Sequence, residues 1–93
     1  MIISLAVLTI RKESAQEVSR LLSDYVTEEK GKKGVIKVFV KRALDNEDTF
    51  LVYTEYADRV SYDVSEKVAR ESGKDVGFVL RPHILKAFYG NFD

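Results

Sequence analysis

The sequence predicts one α+β domain with elements in the order β-α-β-β-α-β and an antiparallel sheet. Three observations lead there. The chain has 93 residues, room for a single domain (1–93). Apolar runs of strand length alternate with segments of helical period in that order. The first and third strand segments are apolar on both faces, whereas the second and fourth carry lysines, as central and edge strands of such a sheet do.

Ile2–Ile10 is almost uninterrupted Ile, Leu, Val and Thr, the pattern of a strand buried on both sides. Ser14-Ala-Gln-Glu17 has the form of a capping box. Behind it Ala15, Val18, Leu22, Tyr25 and Val26 recur at helical spacing, with Leu21 widening the stripe. Lys30-Gly31 is expected to end that helix, with glycine in the left-handed conformation. Val35–Arg42 alternates, with Ile36, Val38 and Val40 on one face and Lys37, Phe39 and Lys41 on the other. A polar turn, Leu44–Asp48, joins it to a third strand over Thr49–Tyr56, so the two form a hairpin. Asp58 is positioned to cap a second helix with Val60, Val64 and Val68 on one side, and Ser72-Gly73 stops it. Ile84–Tyr89, entered through Arg81-Pro82, is the last strand. Its Lys86, with Lys37 and Lys41 of the second, discourages edge-to-edge association.

Composition narrows the function classes. Fifteen basic and fifteen acidic residues balance, without the basic excess that phosphate neutralisation demands of a nucleic-acid binder. The third strand, Asp48-Thr-Phe-Leu-Val52, also lacks the basic start and the glycines of an RNA-recognition strand. With no cysteine there is no disulfide framework and no thiolate metal site. Gly31-Lys-Lys-Gly34 follows a helix rather than opening one, a poor cradle for an anion. The apolar start lacks a basic leader and is too short to span a bilayer. A cytoplasmic protein without membrane attachment is expected. Charged residues make up 32% of the chain, and Cys, Trp, Met and Gln are scarce, which leans toward a heat-adapted source.

Two helices cover one face of a four-stranded sheet, so the other should be polar. Residues of both parities on the first strand (Ile2, Ala6, Leu8 and Ile3, Leu5, Val7) are apolar instead, as are Phe39, Phe50 or Leu51, and Phe88. Soluble monomers avoid a patch of that size. A homodimer packing the open sheet faces together removes it.

The segment Thr49-Phe-Leu-Val-Tyr-Thr-Glu-Tyr-Ala-Asp58 ends a strand in a glutamate and an aromatic residue and runs directly into a helix, while Gly34-Val35 opens the second strand. In these features, and in its order of elements, the chain resembles the antibiotic biosynthesis monooxygenase-like (ABM) family, ferredoxin-like domains that form dimeric α/β barrels. The resemblance implies a homodimer with a pocket in each subunit between sheet and helices. It also implies a cofactor-independent monooxygenase-like enzyme acting on a small apolar or aromatic molecule. The haem-degrading branch uses Asn, Trp and His around that pocket. Here Ala6 stands near that Asn, tryptophan is absent, and Asp58–Glu71 contains no histidine. Neither haem nor any other cofactor or metal is therefore expected. The alternatives are a non-enzymatic small-ligand-binding module and a structural dimer whose pocket is filled by Phe78 and Leu80.

Chemistry in such a pocket needs a base, or a donor that stabilises a carbanion or enolate. His83 is the only imidazole and titrates nearest neutrality. It is either catalytic or a surface residue at a strand start. Tyr62, on the second helix, reaches either the pocket or the surface. Substrate contacts are expected from Ser4 and Ala6, whose small side chains on the central strand leave space under the helices or allow close packing. Tyr25 is a further candidate, or a core residue with a satisfied hydroxyl. Glu55 is the carboxylate nearest burial, or half of a salt bridge, and Arg81 is suited to a carboxylate or is simply exposed.

Overall fold

The computed structural model describes all 93 residues, Met1–Asp93. Strands β1 (Ile2–Ile10), β2 (Val35–Arg42), β3 (Thr49–Tyr56) and β4 (Ile84–Phe92) form one antiparallel sheet in the order β2-β3-β1-β4. Helix α1 (Ala15–Lys30) links β1 to β2, and α2 (Arg59–Ser72) follows β3. A four-residue helix α3 (Val76–Val79) and a turn of 3₁₀ helix at Arg81–His83 lead into β4. The chain thus has the βαββαβ ferredoxin-like fold, with β1 and β3 central.

Register assigns the faces, because residues paired across neighbouring strands share one side of a sheet. Ala6 pairs with Val52 and Tyr89, and Leu8 with Phe50 and Ala87, on the side that carries the helices. There Leu8, Ile10, Val18, Leu22 and Leu80 are fully buried and form the core with Ala6, Phe50 and Val52. Val7 pairs with Leu51 and Phe88 on the opposite side, together with Leu5, Phe39 and Tyr53. No helix covers that side, and Val7, Phe88 and Phe92 are exposed. Phe39 and Tyr53 stack there with centroids 4.7 Å apart.

Several local expectations are corrected. Ser14 adopts helical backbone angles (φ −93°, ψ −3°) at the end of a 3₁₀ turn and makes no side-chain cap, so the capping box does not form. Its buried hydroxyl lies 2.9 Å from His83 Nδ1 instead. Gly31 ends α1 with φ −84°; the left-handed glycine between α1 and β2 is Gly34, with φ 86°. A side chain at Gly34 would collide with Ser61, so this glycine both turns the chain and admits the first turn of α2. The β2–β3 register shifts between Val35 and Lys37, which turns Ile36 out to solvent rather than aligning it with Val38 and Val40. β4 runs three residues beyond Tyr89, to Phe92, held by pairing with β1.

Helix α2 is capped and stopped as expected, but its apolar side faces outward. Asp58 caps it, accepting a hydrogen bond from the Ser61 N–H at 2.8 Å, and Gly73 closes it at φ 70°. Yet no residue of α2 is buried. Val60, Val64 and Val68 point away from the sheet, 70%, 57% and 48% exposed. Tyr62, Ser65, Glu66 and Ala69 form the half-buried inner side.

Candidate functional site

The inner side of α2 offers the sheet polar and small groups rather than valines, so the helix stands off it and leaves a cleft. The cleft has a volume of about 620 Å³. Its floor is the helix-side face of the sheet: Ser4 and Ala6 of β1, Val52, Thr54 and Tyr56 of β3, and Tyr89 and Asn91 of β4. Small side chains on the central strand keep that floor low. Tyr25 of α1 and Glu66 of α2 form two walls. The segment from Asp75 to Phe78, with Arg81 and Ile84, forms the third. Gly77 lies against the tip of Tyr89, which a side chain at that position would push aside.

Of the residues proposed from sequence, Ser4, Ala6, Tyr25 and Arg81 come together in this cleft. Ser4 is held by its cross-strand neighbour, donating from Oγ to Asn91 Oδ1 at 2.9 Å. Tyr62 lies behind the wall, its ring edge-on to Tyr56 with centroids 5.5 Å apart. His83 is at the seam between β1 and β4, where its carbonyl accepts from the Arg11 N–H and its own N–H donates to the Leu80 carbonyl. Its ring serves Ser14. Glu55 projects from the other face of the sheet and accepts from the Tyr53 hydroxyl at 2.7 Å.

Glu66, Asp75, Tyr56, Tyr89 and Asn91 escaped the sequence reading. The signal for Glu66 lay in helical phase: it stands opposite Val60, Val64 and Val68, and the inner side of α2 is the side without valines. Asn91 lay beyond the expected end of β4.

The cleft favours protonated groups. Burial raises the Glu66 carboxyl above its usual range, and the neighbouring charge of Asp75 adds to this, while Arg70 opposes it. Burial likewise pushes the Tyr56 hydroxyl up to about 12. Tyr25 is raised by burial and then by the charge of Glu29, and Tyr89 by burial and then by Asp75. Glu29 is 4% exposed; Lys32 binds one of its carboxylate oxygens, and the other has no partner. Glu66 and Asp75 take part in no ion pair. The site therefore presents tyrosine hydroxyls as donors, one carboxyl of raised proton affinity, and a floor of mixed polar and apolar side chains. There is no cluster of three or more His, Asp or Glu side chains placed to hold a metal ion.

A family model described as antibiotic biosynthesis monooxygenase (ABM) matches residues 1–68, more than half of the chain. The chain belongs to the antibiotic biosynthesis monooxygenase family. The match covers β1 through most of α2 and so includes Ser4, Ala6, Tyr25 and Glu66. Solved structures repeat the ABM fold over the whole length. A Deinococcus radiodurans protein of the antibiotic biosynthesis monooxygenase type is 15% identical with a TM-score of 0.88, over 100% of this chain and 91% of that one. A conserved protein from Methanosarcina mazei is 22% identical with a TM-score of 0.83, over 98% and 89%. SnoaB, a cofactor-independent oxygenase from Streptomyces nogalater, is 12% identical with a TM-score of 0.80, over 99% and 90%. No curated protein sequence matches the chain. No helix of this ABM protein is long and apolar enough to cross a membrane.

Proposed function

We propose that this ABM protein is a cofactor-independent monooxygenase-like enzyme that oxidises a small aromatic molecule bound in the cleft. One observation carries the reading: a carboxyl of raised proton affinity, Glu66, shares a cleft with three tyrosines and the apolar side chains of Ala6, Val52 and Ile84. The aromatic body rests on Ala6, Val52 and Ile84. Glu66 takes a proton from an acidic O–H or activated C–H of the substrate, a role that suits a carboxyl whose proton affinity burial has raised. The resulting anion accepts hydrogen bonds from Tyr25 and Tyr89, whose hydroxyls keep their protons, and faces Arg81 at the rim. Dioxygen is the oxidant: one oxygen atom replaces two hydrogens at the reacting carbon, and the other leaves as water. The similarity to SnoaB supports the class of reaction. In this reading Glu66 takes the proton-transfer role considered for His83 and Tyr62, Tyr62 steadies Tyr56, and Ser4 is held by Asn91. The working unit is a homodimer joined through the open sheet face.

Native mass spectrometry of the purified protein, followed by oxygen-uptake assays on the ligand it releases, tests the proposal. The expected result is one small aromatic mass per subunit, consumed with oxygen by the wild type and at least 100-fold more slowly by Glu66→Gln, the usual scale for losing a general base (about 10²–10⁴). A ligand that is bound and never converted would make the protein a carrier and overturn the enzymatic reading.

A further inference from the structure

Helix α2 has 14 residues and buries none of them, while its one apolar stripe faces outward. An amphipathic helix ordinarily turns that stripe to a core. Here the helix does the reverse, and the cleft depends on it.

The surroundings of the stripe favour one occupant. Along one flank run Arg59, Asp63, Lys67 and Glu71, alternating in sign and all exposed, with Arg59 also donating to Asp63 at 3.1 Å within the helix. The other flank carries Ser61 and Ser72, uncharged and small. Lay a second α2 antiparallel on the first, with Val64 on the two-fold axis. Val60 then meets Val68 of the second copy, Val64 meets itself, and the serine flanks adjoin. On the charged flank Lys67 comes beside Asp63 of the second copy, and Glu71 beside its Arg59. Symmetry makes each contact twice. The face is thus complementary to itself in apolar pattern and in charge, as a two-fold interface requires.

We propose that the Val60–Val64–Val68 face of α2 pairs antiparallel with the same face of a second copy of this chain. A 14-residue helix is about 21 Å long, so the contact falls below the roughly 800 Å² per partner of a free-standing interface. It acts together with the open sheet face, on the other side of the molecule. Sheet pairing makes dimers, and α2 pairing on their outer sides joins dimers to one another, giving assemblies of four or more copies.

Light scattering coupled to size-exclusion chromatography over a range of protein concentrations tests this, with circular dichroism to verify folding. Five variants are compared with the wild type: Val64→Lys on α2, Val7→Lys on the open sheet face, the charge swaps Lys67→Asp and Asp63→Lys, and the two swaps combined. Val64→Lys is expected to reduce the assembly to two copies joined by the sheet face, and Val7→Lys to two copies joined by α2. Each single charge swap should weaken assembly by about five- to tenfold, the scale of two exposed ion pairs lost and replaced by repulsion. The double swap should restore it, which a merely unfolded helix cannot do. A Val64→Lys protein with the wild-type mass at every concentration would overturn the proposal, as would a double swap no better than the singles. A wild type of two copies that Val7→Lys alone dissociates would also overturn it, leaving only the sheet dimer.

Discussion

Glu66 couples the stability of the fold to the chemistry of its cleft. Its carboxyl is raised by burial first and by Asp75 second, so the folded chain holds that proton more tightly than the unfolded chain does. The stability linked to this proton is fully present below the ordinary carboxylate value of 4.5 and is lost as pH rises through the raised value. Glu66→Gln removes the titration. The variant should melt at a higher temperature than the wild type at pH 8, and the difference should vanish near pH 4. Thermal unfolding at the two pH values checks it, and a gain equal at both would mean that packing, not charge, is responsible. Pairing greater stability with lost turnover would mark Glu66 as a residue kept for work rather than for folding. Little of this was legible at the residue scale, because a glutamate among Ser65, Lys67 and Arg70 reads as solvated. Its surroundings become acidic and half-buried only when Asp75, nine residues on, folds back beside it. Ser4, Ala6 and Tyr25 were legible, since strand parity and the stripe of α1 fix where they point.

At the scale of elements, the order of strands and main helices follows from periodicity. The failures lie where a tertiary contact outweighs a local preference. Ser14 has the spacing of a capping residue, but the seam between β1 and β4 supplies His83 as a partner and α1 begins uncapped. The left-handed turn goes to Gly34 rather than Gly31 because the closest approach of another element occurs at Gly34. Replacing Gly34 by Ala should cost about 2–4 kcal/mol, from the left-handed backbone together with the collision with Ser61. Chemical denaturation of Gly34→Ala and of Gly34→Ala/Ser61→Gly separates these parts. The second variant should recover the steric part alone, and full recovery would mean that the backbone angle carries no strain. The orientation of α2 was not legible for a related reason: periodicity locates an apolar stripe but does not say what the stripe faces.

At the scale of the whole molecule, an apolar face on each side of the sheet was visible from the sequence of β1 and β3 alone. The structure leaves Val7, Phe88 and Phe92 in the open on the helix-free side. Phe88→Lys should therefore lower self-association through that face by at least tenfold, measured by sedimentation velocity, because a lysine buried there would lose its hydration. An unchanged sedimentation coefficient would mean that some other surface joins the subunits. The cleft has a different dependence on the whole. Its floor pairs Ser4 with Asn91, residues from opposite ends of the chain, so neither the β2–β3 hairpin nor β1 with α1 can form it alone. Contacts of such long sequence separation tend to close late in folding. A molecule that recognises the finished floor has nothing to hold in a chain whose last strand is still loose. It binds only the completed form and draws the folding equilibrium toward it. The protein can then be searched for its ligand by heat alone, since a compound that fits should raise the temperature at which all four strands come apart.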